Sequence, residues 1–78
     1  MYKTAAQLRE MTDEELEKLW MDNMSTLYIN YASDGRVAYE LMEVETEITE
    51  RDSMSLHNLN LKFTQKKQQH FERIKQNA

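Results

Sequence analysis

The chain has 78 residues, 40% of them hydrophobic, with one Gly, no Pro, no Cys and a formal net charge of -4. A chain of this size forms one domain over residues 1–78 and buries only ~60% of its unfolded surface, which excludes architectures built on large sheets. Without cysteine there is no disulfide framework, thiolate nucleophile or Cys-based zinc site. No apolar run approaches the roughly 18 residues of a membrane span, and the polar residues after Met1-Tyr2 do not fit a signal peptide, so the expectation is a soluble cytoplasmic protein.

The charge is unevenly placed. Residues 1–52 carry thirteen acids against five bases, a balance of -8, whereas residues 53–78 carry five bases and one acid, a balance of +4. Such asymmetry implies either a basic tail for nucleic acid or two oppositely charged elements that neutralise each other within one fold.

The scarcity of Gly and Pro, with abundant Glu, Lys, Gln, Leu, Met and Ala, predicts an all-α domain of three helices preceded by a short N-terminal turn. Thr4-Ala5-Ala6-Gln7 carries a capping pattern for that leading turn. Thr12 and Glu15 form a stronger capping box, with Met11 and Leu16 spaced as a hydrophobic staple. From Asp13 to about Tyr31, Leu16, Leu19, Trp20, Met24, Leu27 and Tyr31 share one helical arc and are expected in the core.

Gly35 follows Ser33-Asp34 and offers a positive-φ position to separate this helix from the next. Val37, Leu41, Val44 and Ile48 then make a narrow stripe from about Arg36 to Arg51, a core face or a dimer seam. The competing reading is α+β, with a hairpin around Asp34-Gly35 between residues 26 and 41, because Thr26–Tyr31 and Val44–Thr49 are also β-rich. Helix is preferred because the stripe stays continuous across Leu41-Met42, where strand alternation breaks. Asp52-Ser53-Met54-Ser55 reads as a loop with two capping serines. Leu56, Leu59, Phe63, His70, Phe71 and Ile74 mark the inward face of a last helix that frays at Asn77-Ala78.

Three features could carry function. Glu40, Glu43, Glu47 and Glu50 form an acidic stripe whose mutual repulsion calls for a basic neighbour, or for a role as a binding face. Lys62, Lys66, Lys67, Arg73 and Lys75 make the last helix basic. In an antiparallel hairpin of the last two helices Glu47 would meet Lys62, Glu43 would meet Lys66 and Arg36 would near Glu72. If those cations are free instead, they suit nucleic acid. Met21, Tyr28, Tyr39 and Met42 fall off the core stripes and read as a docking patch for a protein, or as scattered surface residues.

Catalysis, a metal and a cofactor are not expected. His57 and His70 lack ligand spacing, His70 reads as a core-facing structural residue, and a single Gly cannot build a phosphate loop.

Leu8-Arg9-Glu10-Met11-Thr12-Asp13-Glu14-Glu15-Leu16 resembles the opening of the small helical-hairpin ribosomal protein family found beside the peptide exit tunnel. The chain departs from that family in its acidic balance, its lack of a basic second helix and its third segment, so no ribosomal role is carried over. The small, acidic, Cys-free style is similar to accessory proteins of bacteriophages that act by binding a host macromolecule. The expected function is non-enzymatic, regulatory or inhibitory protein binding, with nucleic-acid binding by the last helix as the alternative.

Overall fold

The computed structural model describes residues 2–32 and 34–77; the Ser33 part of the expected turn and the fraying expected at Ala78 lie outside them. Four helices follow one another: α1 (Ala5–Glu10), α2 (Asp13–Tyr28), α3 (Gly35–Arg51) and α4 (Ser55–Asn77). No strand occurs among the described residues, so the hairpin around Asp34-Gly35 gives way to the start of α3. No helix of the described residues is long and apolar enough to cross a membrane.

The leading turn is a true helix. Thr4 and Gln7 form a complete capping box, as Thr12 and Glu15 do for α2. Each box satisfies orphan N–H groups at a helix start through its own side chains, and three acids in the first turn of α2 suit the positive end of its dipole. Thr12 lies two residues past Glu10, so α1 and α2 are joined by an abrupt corner, with Met11 packed against the core.

Helix α2 ends three residues before the sequence pattern does. Tyr31 takes φ 53°, and the Ala32 N–H reaches back to the Thr26 carbonyl while the Asn30 N–H reaches Ser25. The left-handed residue is therefore Tyr31, not Gly35. Gly35 opens α3 with no positive φ, and Asp34 caps it by accepting from the Arg36 N–H. As a result Tyr31 is turned out of the core where the sequence placed it. At the next corner Asp52, rather than a serine, folds the loop by accepting from the Met54 N–H.

Leu8, Leu16, Trp20, Leu41, Val44, Ile48, Leu59 and Phe63 form the core, drawn from all four helices. Trp20 is fully buried and meets the Phe63 ring edge-on at 6.0 Å. Burying each such large apolar side chain contributes roughly 1.5–3 kcal/mol. Because Val37, Leu41, Val44 and Ile48 are all buried within one chain, that stripe is core and does not supply the dimer seam.

Trp20 pairs with Glu45 and Asn23 with Glu40, so α2 and α3 run antiparallel. Phe63, Lys66, Lys67 and Phe71 meet Trp20, Ser25, Tyr28 and Tyr31 in turn, so α4 runs parallel to α2 and antiparallel to α3. The second half of α4 thus follows the end of α2, and Ile74, expected inward, is exposed there.

Candidate functional site

The acidic stripe divides between structure and solvent. Glu40 is 5% exposed and accepts from the Asn23 side-chain amide at 2.9 Å and from the Lys3 backbone N–H at 2.6 Å. A carboxylate can be kept in so dry a place because donors replace its lost water. It fastens the N-terminal segment and α2 to one flank of α3. Glu47 is turned to Arg51, one turn further along the same helix, at 3.0 Å. Glu43 is half-buried and Glu50 exposed.

Arg51 is the most heavily engaged side chain in the molecule's ion pairs. Besides Glu47 it holds Asp13 at 2.9 Å, and it donates to the Leu8 and Arg9 carbonyls at 3.2 and 3.1 Å. Those carbonyls lie in the last turn of α1, where Leu8 also accepts from the Met11 N–H, so a guanidinium from the end of α3 adds donors to the C-terminus of α1. Asp13 first, then Glu47, holds its pKa above the usual arginine range.

Two carboxylates serve as helix caps in the same way. Donation from the Thr12 backbone and hydroxyl keeps Glu15 below the usual carboxylate range. Asp34 is lowered by the Arg36 N–H and by the Tyr2 hydroxyl, which donates to it at 3.0 Å. The same contact raises Tyr2. Sequence reasoning passed over Asn23, Glu45 and Arg51. Asn23 falls within the apolar arc of α2, close to the rotation of Leu16 and Trp20, and a polar residue at such a position was the available signal.

The four-residue docking patch is not one surface. Met21 packs against the core, and it shares a helical stripe with Ser25 and Tyr28, along which Lys66 and Lys67 of α4 lie, although Tyr28 stays 46% exposed. Lys67 lies over the Tyr28 ring, 5.9 Å from its centroid. Tyr39 and Met42, in contrast, are 66% and 64% exposed on α3. They lie on its outer side with Thr46 and Glu50, roughly opposite the Val44 stripe. A shallow groove beside Met42 is lined by Glu45, Thr46, Thr49 and Leu56, and Tyr39 lines another with Tyr2 and Arg36.

The charge seam between the last two helices does not form. Glu47 is taken by Arg51, and the Lys66 ammonium donates to the Ser25 hydroxyl at 3.1 Å. Arg36 and Glu72 make no ion pair among the described residues. The cause is the direction of the α4 apolar stripe, which seats Phe63 against Trp20 and carries the helix along α2. Lys66 and Arg73 therefore flank a groove shared with Ser25, Ile29 and Asn30 at the end of α2. That end has no basic residue in its own last turn, and α4 supplies cations to its negative pole. Lys62, Arg73 and Lys75 are exposed, and Lys67 lines a second groove with Phe71 and Lys75.

His57 is exposed, and His70 is half-buried, edge-on to Phe71 at 5.4 Å. No group of three His, Asp or Glu residues among those described could hold a metal ion. What the arrangement offers chemically is contact: an acid-rimmed apolar face on α3 and a cationic, aromatic end on α4. Comparison of the chain with protein-family models, with curated proteins and with solved structures finds no match to any of them.

Proposed function

We propose that this protein works without catalysis, by docking on a protein partner through the outer face of α3. The observation that carries the reading is the pair Tyr39 and Met42, two large side chains about two-thirds exposed on the outer face of α3. Tyrosine and methionine give much contact area and adapt to a partner's shape. Glu43 and Glu50 lie on the same side of the helix, so the partner best suited to it has an apolar anchor set among basic residues. A regulatory or inhibitory role, in the manner of bacteriophage accessory proteins, belongs to the same proposal and rests on the size and acidity of the chain.

The test is comparative capture from a lysate by the wild type, by Tyr39→Ala/Met42→Ala and by Lys66→Gln/Arg73→Gln, each confirmed folded by circular dichroism. The expected result is a partner retained by the first and third proteins and lost at least ~10-fold from the second, as for anchors at an interface centre. A partner that the Tyr39→Ala/Met42→Ala protein retains in full would sink this reading.

A further inference from the structure

A separate surface, built on Tyr31 and the second half of α4, gathers rings and cations in a way that packing does not require. Tyr31 holds a φ of 53°, a region where a bulky side chain is an outlier and where glycine fits without strain. Its ring is nonetheless 68% exposed, leaning on Phe71 with centroids 6.4 Å apart and planes tilted by 39°. A chain selected for stability alone would place glycine or asparagine at this corner. Keeping a solvent-facing aromatic ring in a strained backbone points to something outside the molecule that uses the ring.

The surroundings say what that is. Lys66 and Arg73 line a groove on one side of α4, and Lys67 and Lys75 line the groove on the other together with Phe71 and Glu72, with Tyr31 leaning on Phe71. Glu72 is the one acid in residues 53–78. The acids of the molecule are concentrated in residues 1–52, so an anionic ligand is repelled from α3 and drawn to this end.

We infer that the end of the molecule formed by Tyr31 and the second half of α4 binds single-stranded nucleic acid, with bases stacked on Tyr31 and Phe71 and phosphates held by Lys66, Lys67, Arg73 and Lys75. Cations flanking exposed aromatic planes are the shared physics of such sites, because every unpaired base has a face to stack and every nucleotide a phosphate. A duplex hides those faces. An acidic peptide would use the cations and leave the rings idle. The reading concerns a different surface from the α3 face and stands or falls separately from it.

The experiment is fluorescence anisotropy with dye-labelled oligouridylate and oligothymidylate of about 12 nucleotides, the upper range of a single small site. The wild type should bind, and more weakly as salt rises. Tyr31→Gly keeps the backbone that φ 53° demands and removes only the ring, so its melting temperature should not fall, while affinity drops roughly 5- to 100-fold. Lys66→Gln/Arg73→Gln should lower the slope of log affinity against log salt by about 1.4, at about 0.7 for each phosphate released on a single strand. Absence of binding by the wild type overturns the inference. So does unchanged affinity in Tyr31→Gly, equal binding of a duplex of the same length, or competition by oligoglutamate of equal charge as effective as that by the oligonucleotide.

Discussion

The two ends of this molecule use the same residue types for opposite purposes. At the end where α1, the start of α2 and the end of α3 meet, charged groups are spent on the fold: Arg51 joins four acceptors, and Thr12 and Glu15 satisfy each other. Across the flank of α3, Glu40 is treated likewise by Asn23 and Lys3. At the far end, beyond Ile29, the cations of α4 show at most one such contact each among the described residues, and the Tyr31 ring faces outward beside a half-buried Phe71. The difference teaches that residue type and helical spacing do not separate structural charge from available charge. The number of partners does.

The sharpest way to break that comparison is to remove matched glutamates from α3. Glu40→Ala leaves the Asn23 amide and the Lys3 N–H without their acceptor and opens a small void, and is expected to cost about 2–3 kcal/mol in urea denaturation. Glu50→Ala, at an exposed position, should stay within about 0.5 kcal/mol. Equal effects would mean that burial of Glu40 contributes nothing.

A smaller effect is expected from acid. Glu15 and Asp34 have folded-state pKa values below their unfolded ones, so the stability they add is present in full above the unfolded values, near pH 4, and is lost as pH falls through the folded ones. The melting temperature at constant ionic strength should therefore decline below about pH 4. Glu15→Gln/Asp34→Asn should flatten part of that decline. A profile identical to wild type would remove the caps from the account.

The smallest effect should come from Lys62→Glu/Lys66→Glu. Among the described residues no glutamate of α3 pairs with these lysines, so the double change should shift the melting temperature little at low or moderate salt. A large drop confined to low salt would restore the seam between α3 and α4 and cancel the pairing of α4 with α2.

Much of the fold is written in short stretches of sequence. Thr12 with Glu15, and Thr4 with Gln7, announce helix starts because a capping box is a local object, and the Val37–Ile48 stripe marks the core face of α3 by its spacing alone. What could not be read depends on where helices go next. The apolar rhythm of α2 runs on to Tyr31, but the chain turns left-handed there, and no rule of periodicity marks an aromatic residue as the turning point. The facing of Glu43 and Glu47 by lysines followed from assuming that neighbours in sequence pack along their whole length. Phe63 instead sits against Trp20 and takes α4 to α2. Met21 and Tyr28 appeared homeless for a related reason: Met21 packs against the shared core, and the α4 lysine that lies over Tyr28 was placed elsewhere.

The capping of α1 by Arg51 has a consequence for the order of events as the chain is made. A helix of six residues does not persist in water, because nucleation costs more than so few hydrogen bonds return. Its Leu8 carbonyl, already bonded to the Met11 N–H, takes a second donor from a guanidinium 43 residues later, and Leu8 shares its buried cluster with Val44 and Ile48 of α3. The segment Ala5–Glu10, which emerges before α3 during synthesis, is therefore expected to become helical only once α3 is there to hold it.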